Sequence, residues 1–210
     1  YLWKIVLEKR ELTNIIENYT QLVVEVDRDT KKKKEKQIFP RYHQWDLVKK
    51  LLSHVYENGV GSKYLIQHSA GSGKSNSIAW TAHQLVSLEK NGENLVDSVI
   101  IVTDRVVLDK QIKDTIKQFM QVSSTVGHAE SSGDLAQLIQ DGKKIIITTV
   151  HKFSFILDAI GSGHRNNKFA ILIDEAHSSQ SGSLSANMNI ALSGLEEEEE
   201  TTEDKIIKIM

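Results

Sequence analysis

Two short stretches carry most of the chemistry in this sequence, "HSAGSGKS" (68–75) and "ILIDEAH" (171–177). The first nearly matches G-x-x-x-x-G-K-[ST], with His68 standing where the pattern has its first glycine. Gly71 and Gly73 allow the backbone to turn tightly and lie close to a ligand, with Ser72 between them. Loop N–H groups and the positive end of a following helix suit an anionic phosphate. Lys74 has the reach to engage the β- and γ-phosphates of a nucleotide, and the Ser75 hydroxyl suits Mg²⁺. In the second stretch an apolar strand delivers Asp174 and Glu175 to the carboxyl edge of a sheet, where open α/β folds bind ligands. Asp174 then holds hydrated Mg²⁺ opposite Ser75, and Glu175 orients the attacking water or takes its proton. The two stretches together point to binding and hydrolysis of a nucleoside triphosphate, with ATP and Mg²⁺ as the expected ligands.

A third stretch, "FPRYHQWD" (39–46), precedes the loop. Gln44 has a side-chain acceptor for the adenine N6 amino group and a donor for N7, with Phe39 or Tyr42 packing nearby. Tyr42 and Trp45 fit an ordinary core equally well.

The elements that position these residues follow from periodicity. Residues 1–20 read as an amphipathic helix with Leu2, Ile5, Leu12, Ile15 and Ile16 on its apolar side. "QLVVEV" (21–26) reads as a strand and 27–36 as an exposed turn or loop. The lysine run in that segment suits either phosphate contact or a solvated hairpin tip. Pro40, the single proline, precedes a helix carrying Trp45, Val48, Leu51, Leu52 and Val55. Strands are expected at 64–68, 98–103, 143–150 and from 169, and helices from the glycine loop to about 90, over 105–120, 132–141 and 183–193. Apolar strands without polar alternation suit a buried parallel sheet with helices on both faces, so the expected class is α/β, doubly wound. The expected division is a connector over 1–38 and a nucleotide-binding domain over 39–210.

Composition narrows the alternatives. The 210 residues are 40% hydrophobic, contain no cysteine, and carry a formal charge of −2. Disulfides and cysteine-held metals are excluded. The eight histidines include no H-x-x-x-H pair, so a zinc site is not expected. No apolar run approaches bilayer length and no signal peptide is visible, so a cytoplasmic protein without membrane contact is expected. The near-neutral charge argues against coating nucleic acid by bulk charge, although "EEEEETTED" (196–204), expected to be a mobile acidic segment, lowers the total locally.

In order along the chain, "FPRYHQ", "HSAGSGKS", "VTDRVVLDKQ", "TTVHKF" and "DEAHSSQSGSL" resemble superfamily 2 helicase motors. More narrowly, they resemble the restriction (R) subunit of type I restriction–modification enzymes, over roughly residues 39–193. The resemblance implies a first RecA-like domain of an ATP-driven double-stranded DNA translocase, inside a larger enzyme that also cleaves DNA. It also implies modification and specificity subunits as partners. Lys74 and Ser75 fall in its motif I, Asp174 and Glu175 in motif II, and Gln44 in its adenine motif. It places Asp104, Arg105 and Gln111 in motif Ia, and Thr148, Thr149 and Lys152 in the next DNA-facing motif. Arg105 and Lys152 also fit ordinary solvent-facing positions, and His177 fits either interdomain coupling or a local hydrogen bond. The family's Ser/Thr-Gly-Thr-type motif and its second RecA-like domain, with an arginine finger, are not found before Met210. "DTK" (29–31) only superficially resembles the family's nuclease core. The expectation is therefore a motor domain and a preceding linker from a longer subunit. A generic DEAH-type DNA or RNA helicase domain is the alternative. A non-catalytic nucleotide-binding module is disfavoured by Glu175, and a small-molecule kinase by the lack of a lid-like arginine cluster.

Overall fold

A computed structural model describes residues 2–26, 31–103, 126–129, 132–149, 167–174 and 206–209. The chain opens with a π-helical turn, Leu2–Val6, and α1, Lys9–Asn18, rather than one helix over 1–20. Glu8 separates the two by accepting the Glu11 N–H on its carboxylate, which caps α1. An antiparallel hairpin follows, β1 (Gln21–Val26) with β2 (Lys33–Ile38). The expected loop over 27–36 is therefore shorter: Lys33–Lys36 are strand, exposed and polar, ordered by their ladder with β1.

Helix α2, Tyr42–Asn58, begins just after Pro40 as its pattern predicts, and buries Trp45, Val48, Leu51 and Val55. The strand after it, β3, is only Lys63–Tyr64, and Leu65 beyond it is 77% exposed. The glycine loop leads into α3, Lys74–Leu85. That helix stops short of residue 90 because a small hairpin intervenes, β4 (Glu89–Lys90) with β5 (Glu93–Asn94). Asn91 and Gly92 form its turn, both with positive φ, 56° and 84°.

The remaining elements are β6 (Ser98–Thr103), β7 (Val126–His128), α4 (Ser132–Gln140), β8 (Ile145–Thr149), β9 (Phe169–Ile173) and β10 (Ile206–Ile209). With β3 they build a six-stranded sheet in the order β3-β10-β9-β6-β8-β7, parallel at every pairing. Strands β6, β8 and β9 are buried along their whole length, which explains their unbroken apolar runs.

Register separates the two faces. Val99, Ile101, Ile145, Ile147, Ala170 and Leu172 join one core with Ile15 and Tyr19 of the α1 region, α2 and α3. Gly127 pairs with Ile146 on the opposite face, and a Cβ there meets the Leu138 side chain at 2.6 Å, so α4 covers that face. The fold is thus α/β with helices on both sides of a parallel sheet. The segment before residue 38 packs on this core: Tyr19 is fully buried and accepts the Trp80 indole N–H on its carbonyl at 3.0 Å. Lys49 of α2 also pairs with Glu11 of α1 at 2.6 Å. The helices expected over 105–120 and 183–193 lie outside the described residues.

Candidate nucleotide site

Strand β9 ends at Ile173, and the Asp174 N–H still donates to Val102 O at 2.9 Å. This last rung fixes the Asp174 backbone at the carboxyl edge of the sheet, with the side chain only 3% exposed. Helix α3 starts at the same edge. Its N-cap is Gly73, in the left-handed region at φ 85°, ψ 37°. A side chain there is strained by φ and blocked by space, since a Cβ falls 2.5 Å from Gln44 Nε2. Gly71, at φ 72°, supplies the other left-handed turn of the loop.

The first residue of α3, Lys74, places Nζ 2.8 Å from Asp174 Oδ1. The two motifs, distant in sequence, therefore meet as an ion pair between a half-buried ammonium and a buried carboxylate. Ser75 follows on the same first turn. A hydroxyl and one carboxylate are hard oxygen donors of the kind Mg²⁺ accepts while keeping waters and phosphate oxygens as its other ligands. Among the described residues no group of three or more His, Asp or Glu side chains gathers to hold a metal by protein ligands alone. The donor set thus fits a nucleotide-borne Mg²⁺ and not a closed structural site.

The loop is braced from α2. Gln44 is 3% exposed and makes three hydrogen bonds. Its Oε1 accepts the Arg41 N–H at 2.8 Å, the glutamine half of a capping box. Its Nε2 donates to Gly73 O at 2.9 Å and to Ser72 O at 3.3 Å. The amide expected to read adenine is engaged, in this structure, with the loop and the helix start. Trp45 is core, 3% exposed, with Lys49 Nζ 4.9 Å above its ring, while Tyr42 and Phe39 are exposed.

Two histidines also brace this loop: His68, which the sequence marks only as a departure from glycine, and His43, to which sequence reasoning gave no role. His43 Nε2 lies 3.1 Å from Ser72 O, and His68 Nδ1 lies 2.8 Å from Ser72 Oγ. The two rings meet edge to face with centroids 6.0 Å apart. Burial, then His43, then the Lys74 charge hold His68 below the ordinary imidazole pKa. The signal available in the sequence was the departure at position 68 itself.

The DNA-facing expectations fare differently. Thr148 and Thr149 belong to β8 and are 0% and 4% exposed. Thr148 O accepts a hydrogen bond from the Thr103 hydroxyl at 3.4 Å. Both residues are thus enclosed where β8 reaches the carboxyl edge of the sheet. Asp104, Arg105, Gln111, Lys152, Glu175 and His177 lie outside the described residues, as does the acidic segment 196–204. No helix among the described residues is long and apolar enough to cross a membrane.

Known proteins share this arrangement. The chain is 29% identical over 175 residues to the MjaIXP type I restriction enzyme endonuclease subunit of Methanocaldococcus jannaschii, covering 75% of this chain and 16% of that protein. It is 27% identical over 150 residues to the SauMSSORF170P endonuclease subunit of Staphylococcus aureus, covering 69% of this chain and 15% of that one. The chain therefore spans about one sixth of the length of these relatives. Among solved structures, the DNA-bound Type ISP restriction–modification enzyme LlaBIII superposes with a TM-score of 0.60 at 16% identity, over 97% of this chain and 16% of that one. The DEAD-box helicase Mss116, bound to single-stranded RNA and UDP-BeF, gives 0.59 at 15% identity, over 82% and 35%. At such identities the likeness speaks for the fold alone, and that fold is the RecA-like domain of helicase motors. The SWI2/SNF2 ATPase family matches residues 43–196, most of the chain. With its phosphate loop and its acidic strand end joined through Lys74 and Asp174, this chain belongs to the SWI2/SNF2 ATPase family.

Proposed function

We propose that this chain is the first motor domain of a type I restriction enzyme endonuclease subunit. In that reading it binds Mg·ATP, and its hydrolysis drives double-stranded DNA translocation by the whole protein ahead of cleavage. The observation that carries the reading is the Lys74–Asp174 ion pair, which brings the cation of the loop and the carboxylate of the strand end together at one edge. The likeness to type I restriction enzyme endonuclease subunits supports DNA as the substrate, and the modification and specificity subunits are the partners that the sequence resemblance implies.

The residues divide the work as follows. Backbone N–H groups of the loop around Gly71, Ser72 and Gly73 receive the phosphates at the start of α3. Lys74 leaves Asp174 and turns its ammonium to the β- and γ-phosphates. Ser75 and the freed Asp174 carboxylate would hold Mg²⁺, which would supply neutralisation of charge developing on the phosphate oxygens. Glu175 orients a water and takes its proton as that water attacks phosphorus. Arg105, Gln111, Thr148, Thr149 and Lys152 are the residues proposed to contact DNA phosphates, which set position on the duplex without reading sequence. Gln44 holds the loop's carbonyls and is the residue proposed to contact the adenine.

Calorimetric titration with Mg·ATP tests the site. Wild-type chain is expected to bind, and Lys74→Ala, still folded, to lose most of the affinity. Equal affinity of the two folded proteins removes Lys74 and the loop from the reading. For the reaction, Glu175→Gln in the complete subunit is expected to bind ATP and fail to turn it over.

A further inference from the structure

We propose that His68 is a positioning residue of the phosphate loop, clamped to Ser72 beside His43, and that the loop gains a proton on His68 when a nucleoside polyphosphate binds. The inference rests on the nucleotide-site reading above.

The departure from glycine at position 68 is not a passive one. A glycine there leaves the loop's first turn without a side-chain anchor, whereas His68 Nδ1 reaches across the turn to Ser72 Oγ at 2.8 Å. Ser72 is held again through its carbonyl by His43 Nε2 at 3.1 Å and Gln44 Nε2 at 3.3 Å. Ser72, only 9% exposed, is thus fastened from two sides, and it lies between the two left-handed glycines that shape the loop. Its position decides where the loop's N–H groups point.

The charges around His68 give this clamp a second property. From α2 it faces His43, and from the start of α3 it faces Lys74, whose own partner across the site is the Asp174 carboxylate at the end of β9. Burial and both neighbours disfavour a cationic ring, so the loop without ligand carries His68 neutral. A polyphosphate brings several negative charges to the same loop and engages Lys74, which reverses the sign of the local field. The His68 ring then takes one proton from the medium, forming one new N–H bond. Both ring nitrogens become donors, Nδ1–H donates to Ser72 Oγ, and the serine keeps its own hydroxyl hydrogen for another acceptor. His68 Nε2 is enclosed and has no hydrogen-bond partner among the described residues, so an N–H there is satisfied only when an anionic acceptor arrives.

The test is titration of the 210-residue chain with Mg·ADP at about pH 6.5, in two buffers of different ionisation enthalpy. The difference in heat between buffers counts protons exchanged. Protonation of the nucleotide itself is common to all variants and cancels between them. Wild type is expected to take up protons beyond those of His68→Asn, which retains a side-chain partner for Ser72 but cannot titrate. The wild-type affinity should also rise as pH falls through the neutral range, with that slope lost in the variant. A purely structural role for His68 alters affinity in both buffers alike and leaves proton uptake unchanged, which overturns the proposal. If His68→Asn does not fold, as read by circular dichroism, His68→Gln takes its place. A wild-type chain that binds Mg·ADP with the same buffer-dependent heat as the His68 variant overturns the proposal alone. A wild-type chain that does not bind Mg·ADP overturns it together with the reading of the site.

Discussion

At the scale of single residues, Gly73 is the least replaceable position described. Its left-handed φ of 85° costs any other side chain about 1–2 kcal/mol, and its missing Cβ makes room for the Gln44 amide. Gly73→Ala is therefore expected to lower stability by about 1–3 kcal/mol and to dislodge Gln44 from the loop, measured by denaturant melts and nucleotide titration. Gln44→Ala separates two roles. With the amide spent on Arg41, Ser72 and Gly73, the expected outcome is a parallel loss of affinity for ATP and GTP; a loss confined to ATP assigns the amide to the base. Proton linkage of the free chain has a definite sign. Burial lowers the pKa of both His68 and His83, so the unfolded chain binds more protons than the folded one just below the ordinary imidazole value. Their contribution to stability is complete above about pH 6.5 and shrinks as pH falls toward the lower folded-state values, which denaturant midpoints at several pH values will show. Lys74 and Asp174 stood out in the sequence because a lysine after a glycine loop and a carboxylate at an apolar strand end have few other reasons to occupy those spacings, and the structure brings the two together. The bracing histidines did not, because a lone imidazole advertises no partner until the chain brings His43, His68 and Ser72 together.

At the scale of elements, local pattern located the helices and buried strands and misjudged how they end. Strands β6, β8 and β9 were plain in their apolar runs, and Pro40 marked the approach to α2. The hairpin β4–β5 was missed although Asn91-Gly92, an adjacent pair suited to positive φ, stood in view. The helix pattern through 90 outweighed it. Strand β3 was overextended because "YLIQH" is apolar enough to pair, yet only Lys63 and Tyr64 find partners. Strand β7 was also missed: it is only three residues long, and its Gly127 pairs into the sheet because no side chain there obstructs Leu138. Gly127→Val is accordingly expected to push α4 off the sheet, lowering thermal stability by about 2–4 °C per kcal/mol lost in a chain of this size. The junction of α1 with α3 predicts a milder effect. Trp80→Phe removes the donor to Tyr19 O and is expected to cost about 1–2 kcal/mol, read by equilibrium unfolding.

At the scale of the whole molecule, the chain covers about one sixth of the length of the restriction-enzyme relatives it matches. An arginine supplied from a second domain is commonly worth about 10³–10⁵ in rate for such sites. The 210 residues alone are thus expected to bind Mg·ATP and hydrolyse it slowly, with little response to duplex DNA. The complete subunit in its assembly should show strong DNA stimulation. Comparable DNA-stimulated turnover from the isolated chain argues against the two-domain engine. The order of the sheet carries a further consequence, for synthesis. Among the described residues strand β3, which delivers the phosphate loop, pairs only with β10, and β10 lies at residues 206–209. A ribosome making this chain releases Lys74 and its loop long before β10, the strand that joins β3 to β9, has been translated. Until then the loop rests on α2 through Gln44 and His43, unsupported at the sheet. Nascent chains stalled before residue 206 should therefore be cut by protease at the 59–73 region, and chains stalled far enough beyond β10 to expose it should be protected there.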